Sequence, residues 1–307
     1  MKSQNRRKIG FAAVIFSALV FCLVVSAFPG SPEENWKKIF QFCGLGNFSD
    51  CADKSPFSLH VLNVGKADSI IAECGGKYLL IDGGTADCGN QVVNYLKRRG
   101  AKSVDYVVNT HPDSDHIGGL KEAISSFPVA HYLCPDIPAK IISNTPEYHD
   151  VQLALKSKGI KSEHPAAGTA FNIGNAKAEV LGPLRKAETT NNNSIILKIT
   201  YQKTDFLLMG DAEKEEENDL LASGEKLAAG VLKVGHHGSN TSTSQQFIQA
   251  VHPRYAAISV GKDSNGLPKL EVLNRLYNAN TAIYRTDISG TIIFLSDGKS
   301  ITVKTEY

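Results

Sequence analysis

The segment His111-Pro112-Asp113-Ser114-Asp115-His116 constrains this chain more than any other. Four side chains able to bind a metal fall within six residues. The apolar, β-rich run Tyr106-Val107-Val108-Asn109-Thr110 precedes them, and Gly118-Gly119 follows. The pattern predicts a strand that ends in a His/Asp-dense loop and then enters a helix, presenting its ligands at a sheet edge. His and Asp at alternate positions of a tight loop point to different sides, so the loop suits two adjacent metal ions rather than one. A polar, capped loop ahead of a helix is the bland alternative, but these residue types at this spacing after a strand rarely arise by chance. Two later segments are placed to complete such a site: Gly210-Asp211, after the apolar run Phe206–Met209, and His236-His237-Gly238-Ser239, after Val231–Val234.

Together the three segments resemble the metallo-β-lactamase-like hydrolase superfamily, whose signature is H-x-H-x-D-H followed by a distant bridging Asp and a distant His. The opening His60-Val61-Leu62-Asn63-Val64-Gly65-Lys66-Ala67-Asp68-Ser69 resembles the H-x-L-D-V-G-Q-G-D-S of one branch. Asn192–Leu197, Lys233–Ser239 and Tyr284–Asp287 fit the same branch, the hydrolase domain of ComEC-type competence (DNA-uptake) proteins. The likeness runs from about Phe57 to the end. It implies an α/β fold, an αββα four-layer sandwich of two sheets packed face to face, and a hydrolase that uses two divalent ions.

By that resemblance His111 and Asp113 serve one metal, and Asp115 and His116 the other. A bound divalent ion lowers the pKa of its water to roughly 7, which lets a hydrolase work at neutral pH. The glycine before Asp211 permits a sharp turn, and a carboxylate there can bridge two ions. Adjacent residues at a strand end point in different directions. His237 is therefore assigned as a ligand and His236 as the group facing the substrate, protonating the leaving oxygen; the reverse assignment fits the same residues. Asp115 and His236 are thus the candidate catalytic side chains. Asp82, ahead of Gly83-Gly84, is expected to hold a ligand histidine in its tautomer, and Asp68 to do the same. Gly238–Ser242 reads as an N-cap leading into a helix. The chain departs from the branch at Asn63, Lys66 and Ala67, where Asp, Gln and Gly are usual, and at Leu267, which takes a histidine position. Asp113 stands at the second His of the superfamily signature, and an amide, Asn192 or Asn193, where many members have a third His. More oxygen ligands move the preference from zinc alone to zinc or manganese.

The 307 residues, 42% of them hydrophobic, provide for one large domain or two small ones. Residues 1–56 hold seven of the 33 basic and four of the 31 acidic side chains, which leaves 26 against 27, a net −1, beyond residue 56. A dedicated nucleic-acid-binding domain usually carries a clear basic excess, so the balance argues mildly against DNA. Residues 9–28 hold no charge and are long enough to span a bilayer as a helix. Lys2, Arg6, Arg7 and Lys8 precede them, which orients the rest of the chain outside. Two readings stand: an uncleaved anchor, or a signal peptide cut after Val25-Ser26-Ala27. The expected organisation is residues 1–30 as anchor or signal, 31–56 as linker with one short helix, and 57–307 as the hydrolase domain. Cys43 with Cys51, and Cys74 with Cys88, are possible pairs in an exported protein; six buried thiols fit equally well.

Strands are expected at 57–64, 69–73, 77–81, 105–110, 195–201, 205–209, 230–234, 255–260, 281–284, 291–295 and 301–303. Helices are expected at 90–99, 117–126, 147–158, 213–222, 242–251 and 269–278. The acids Glu213, Glu215, Glu216, Glu217 and Asp219 read as a solvated helix face.

The function implied is a membrane-tethered or secreted dinuclear hydrolase acting on DNA or a related phosphodiester. A phosphodiester esterase of cell-wall or small-molecule substrates, and a non-catalytic metal-binding module, are the alternatives. The membrane is contacted through the N-terminal helix, and the sequence indicates no protein partner.

Overall fold

A computed structural model of the chain describes residues 55–142, 144–261 and 266–307. The apolar run at 9–28, the expected linker helix and the pair Cys43 and Cys51 lie outside these residues. Among the described residues no helix is long and apolar enough to cross a membrane.

The chain opens on three antiparallel strands: β1 (Phe57–Val61), β2 (Ile70–Cys74) and β3 (Lys77–Ile81). Gly75 and Gly76 both take positive φ at the β2–β3 turn, where a side chain would be strained. Helix α1 (Gly89–Arg98) carries the chain to β4 (Val104–Val108), which runs parallel to β3. Two short helices, α2 (Ser114–Ile117) and α3 (Leu120–Ser126), lead to β5 (Val129–Leu133), and α4 (Pro146–Lys158) to β6 (Ser162–Glu163). With β14 (Ile292–Ser296) and β15 (Ile301–Thr305) these strands form an eight-stranded sheet in the order β15-β14-β1-β2-β3-β4-β5-β6.

The second sheet has seven strands in the order β13-β12-β11-β10-β9-β8-β7. They are β7 (Ala170–Ile173), β8 (Ala176–Gly182), β9 (Ile196–Tyr201), β10 (Thr204–Leu208), β11 (Val231–Lys233), β12 (Tyr255–Ile258) and β13 (Ala282–Arg285). Strands β10 to β13 are parallel. Helices α5 (Lys214–Ser223), α6 (Gln245–Val251) and α7 (Leu270–Asn278) make the connections, and α8 (Thr286–Ser289) leads to β14.

Strand alternation separates two faces on each sheet. Inner-face residues of both sheets, among them Leu59, Ala72, Leu79, Val180, Leu197 and Phe206, form one cluster, so the sheets pack face to face. Phe57 stacks on Tyr201 at 5.6 Å and meets Phe206 at 4.9 Å within it. Outer-face residues Leu207, Leu232 and Ile258 join Leu220, Phe247 and Leu276 of α5, α6 and α7 in another. On the outer face of the first sheet, His60 is buried between Tyr95 of α1 and Ser58, with bonds of 2.8 Å to each. The opening histidine of the motif is thus a packing residue, not part of the metal loop.

Strands β5 to β8 were not marked by the sequence pattern. Their residues include Ala, Asn, Glu and Lys, which favour strands weakly, and pairing with β4 and β9 holds them in place. The single helix expected at 117–126 is two. Gly118-Gly119 divides it, because the backbone after β3 approaches closely there: a Cβ on Gly83 would stand 2.5 Å from the Leu120 nitrogen. Cys74 and Cys88 do not pair. Both are free, Cys74 within the inter-sheet core and Cys88 beside Thr85.

The acidic helix face is also corrected. Glu216 and Glu217 are each 1% exposed. Glu217 accepts the backbone N–H groups of Thr243 and Ser244, and so fixes the approach to α6, where Ser244 is the N-cap. Glu216 accepts the Leu184 N–H at 2.8 Å. Burial pushes its carboxyl up to about 7, against that hydrogen bond. Between pH 4.5 and about 7 the folded chain holds a proton that the unfolded chain releases, so this group's contribution falls as pH rises through that window. Glu216→Gln is expected to match the wild type near pH 4.5 and to exceed it at pH 8 by about 1–3 kcal/mol. Denaturant midpoints at the two pH values check this; a parallel pH dependence in both proteins would refute it.

Candidate metal centre

Four loops meet at the carboxyl ends of strands from both sheets. β4 runs into His111–His116, β3 into Asp82, β10 into Gly210-Asp211 and β11 into Gly235–Gly238. Backbone bonds lock the first sheet's loops together: Gly83 N–H to His116 O at 2.7 Å, Asp68 N–H to Asp115 O at 3.0 Å and Gly84 N–H to Asp68 O at 2.7 Å. Asp82 holds φ +57, as His236 and His237 hold +46 and +51. Left-handed backbone costs a residue with a Cβ, and here it aims three polar side chains at one place.

The rings of His111, His116 and His237 are completely buried, and in each the Nε2 atom has no hydrogen-bond partner. Their Nδ1 atoms are engaged. His116 Nδ1 lies 2.8 Å from Asp82 Oδ2, His237 Nδ1 lies 2.9 Å from the Ser259 carbonyl, and His111 Nδ1 lies 3.1 Å from Thr110 Oγ1. An Nδ1–H that donates leaves Nε2 with a lone pair, the state a metal ligand needs. Asp211 presents Oδ1 3.4 Å from His116 Nε2 and Oδ2 3.6 Å from His237 Nε2. Asp115 Oδ2 lies 3.6 Å from His237 Nε2, and Asp113 Oδ2 lies 3.7 Å from His111 Nε2. His111, His116 and Asp211 form one group with ligand atoms close enough to share an ion, and Asp115, His116 and His237 another. Five of the six residues proposed as ligands from the sequence fall in these groups, Asp113 lies beside His111 at the more exposed edge, and the orphaned buried atoms of His111, His116, His237 and Asp211 fit divalent ions.

The electrostatics agree. Burial holds the His111 imidazole down at about 4, helped by the charge on His116, and burial likewise lowers His237, so both are neutral at neutral pH. Burial would raise Asp211 and lower His116. The attraction between them, with that of His237 for Asp211 and of Asp82 for His116, outweighs it, and the first is held well below and the second well above its usual value. His116 therefore has a proton to release when a cation binds. Asp82 accepts from Thr110 N–H at 2.8 Å and Thr110 Oγ1–H at 2.6 Å as well as from His116. Asp82→Asn is expected to weaken metal affinity about 10–100-fold while the six candidate ligands stay. Titration with a competing chelator measures it, and unchanged affinity would leave Asp82 with a folding role alone.

His236 is 25% exposed at the rim. Its Nδ1 lies 3.1 Å from Thr241 Oγ1 and 3.3 Å from Glu213 Oε1, so the ring turns Nε2 inward, 3.9 Å from Asp211 Oδ2. Glu213, Thr110 and Ser194 carry no sequence signal. Ser194 Oγ accepts the Asp211 N–H at 3.1 Å and lies 3.4 Å from His111 Nδ1. The amides do not reach the cluster as ligands. Asn193 is used up by Ala187 N–H, Ala187 O and Thr189 O, and Asn192 by Glu213 N–H and Glu215. Asp68 does not set the His237 tautomer, since it stands 3.9 Å from Nδ1 and instead pairs with the buried Lys233 at 3.0 Å.

Two facing sheets with flanking helices, and an imidazole–carboxylate cluster at the strand ends of both, define a metal-binding α/β class. A family model of the metallo-beta-lactamase superfamily matches residues 62–262, and the chain belongs to that superfamily. Among curated proteins it is 29% identical over 252 residues to ComE operon protein 3 of Bacillus subtilis, covering 76% of this chain and 32% of that one. It is 30% identical over 238 residues to competence protein ComA of Neisseria gonorrhoeae, covering 76% and 31%. The chain thus spans about a third of the length of these relatives. Solved structures share the fold: the diiron β-hydroxylase CmlA of Streptomyces venezuelae has TM-score 0.54 at 10% identity, over 79% of this chain and 54% of that one. YhfI of Bacillus subtilis has TM-score 0.51 at 12% identity, over 78% and 100%.

Proposed function

We propose that this protein is a dinuclear metal-dependent phosphodiesterase that acts outside the cytoplasm on DNA or a related phosphodiester. The observation that carries the reading is that the buried, unpartnered Nε2 atoms of His116 and His237 face the two oxygens of Asp211, with His111, also unpartnered at Nε2, in the same ligand group. His111, Asp113 and Asp211 would hold one ion, and Asp115, His116, His237 and Asp211 the other. Zinc or manganese bound there would supply Lewis acidity toward water and a phosphoryl oxygen. The protein residues do the rest. Asp82, Thr110 and the Ser259 carbonyl hold the imidazoles in the ligating tautomer. His236, steadied by Glu213 and Thr241, gives a proton from Nε2 to the leaving oxygen. A cavity of about 270 Å³ opens beside the loop, with Pro112, Asn109, Tyr132, Tyr148 and Gln152 in its wall, and offers room for an organic group of the ester. Similarity to competence proteins supports a DNA substrate. The near-neutral charge beyond residue 56 supports a smaller diester. The apolar run at 9–28 supports tethering to the membrane, with the cluster outside.

Hydrolysis of bis(p-nitrophenyl) phosphate by the zinc- and manganese-loaded protein tests the reaction class. Activity that a chelator abolishes is expected. A fully loaded protein that cleaves no phosphodiester would leave a metal-binding module. Comparing DNA with phosphocholine esters then separates the two substrate classes.

A further inference from the structure

Among the described residues, two lysines reach the carboxylates around the cluster. Lys233 is buried and committed: its Nζ lies 3.0 Å from Asp68 Oδ2 and donates to the Val234 carbonyl. Lys66 is different. Its side chain is 32% exposed, and Nζ stands 3.7 Å from Asp115 Oδ2. That separation exceeds the 2.7–2.9 Å of a direct charge-assisted bond, so the ammonium keeps its donors. The loop that carries it is not free to swing. Gly65 turns it at φ +76, Leu62 N–H bonds Ser69 O at 3.0 Å, and Asp68 N–H bonds Asp115 O. Lys66 is thus held at the open side of the cluster, next to a candidate ligand.

We propose that Lys66 is an anion-recognition residue: its ammonium binds a non-bridging oxygen of the substrate's phosphoryl group and selects anionic over neutral esters. The proposal rests on the phosphodiesterase reading above. A cation bound by Asp115 takes up that carboxylate's charge, and the ammonium 3.7 Å away is then left to pair with the next anion to arrive. A phosphodiester brings one negative charge shared by two non-bridging oxygens, so one of them can accept from the Lys66 ammonium.

The test uses metal-loaded protein with inorganic phosphate as the probe. Lys66→Gln is expected to keep its full metal content and to bind phosphate about 10–100-fold more weakly by calorimetry, the range for a lost charge-assisted bond. Lys66→Arg should stay within a few-fold of the wild type. KM for bis(p-nitrophenyl) phosphate should rise in Lys66→Gln by a similar factor. Equal phosphate affinity at full metal content overturns the proposal, as does a wild type that binds no phosphate. Loss of metal in Lys66→Gln would show that the lysine acts through Asp115, and overturns it too. A wild type that binds phosphate but cleaves no diester sinks the phosphodiesterase reading alone, and the phosphate affinities still decide the role of Lys66.

Discussion

Asp211→Ala is expected to abolish hydrolysis and to lower metal content while the fold survives. Among the described residues the Asp211 carboxylate shares a ligand group with His111 and His116, with Oδ1 3.4 Å from His116 Nε2, and Oδ2 stands 3.6 Å from His237 Nε2. Without it the carboxylate proposed to serve both ions is gone, and the loss should exceed the ~10–100-fold typical of residues that merely support a ligand. The fold should hold because alanine keeps the backbone N–H that donates to Ser194 Oγ, and strand β10 ends before residue 211. A second consequence follows from charge. With Asp211 gone, His116 loses the leading cause of its raised pKa, and burial then favours its neutral form. Metal analysis, thermal unfolding and turnover of bis(p-nitrophenyl) phosphate measure the three effects. Full activity in the variant would sink the dinuclear mechanism.

The histidine pair gives the next largest effects, and the two variants should differ in kind. His237→Ala removes a buried imidazole whose Nε2 faces Asp115 and Asp211, so metal content should fall. His236→Ala removes a rim imidazole held by Glu213 and Thr241, so metal content should stay while the rate falls. General acid catalysis contributes about 10²–10⁴-fold, which sets the expected loss. That loss should shrink for a p-nitrophenolate leaving group, which needs little protonation, and be largest for an alkoxide. Metal loss in His236→Ala without metal loss in His237→Ala would reverse the roles. Wild-type metal and rate in both variants would reduce the pair to a loop feature.

The sequence by itself marked all six candidate ligands, because each lies in a short segment whose chemistry is local. A strand followed by His111–His116, a strand followed by Gly210-Asp211, and a strand followed by His236-His237 can be read without knowing what they face. It also marked Asp82 as a support for a histidine, through the Gly83-Gly84 that follows. Most strands were legible in the sequence as short apolar or alternating runs, β14 and β15 among them. What tertiary structure decided is whatever depends on a partner distant in the chain. Strands β5 to β7 lack the apolar alternation that would announce them, that of β8 (Ala176-Lys177-Ala178-Glu179-Val180) rests largely on two alanines, and neighbouring strands supply the pairing. Glu216 and Glu217 look like a wet helix face, yet one meets the Leu184 N–H and the other the loop before α6. Asp68 looked like a support for a ligand histidine, but Lys233, 165 positions on, claims it, and a backbone carbonyl takes the His237 ring. Ser194 lies 83 positions from His111 and 17 from Asp211 and touches both. Local pattern specifies which side chains are offered. Only the packing of two sheets, which brings strand ends distant in sequence to one place, specifies which atoms are left buried without partners, and those atoms define the site.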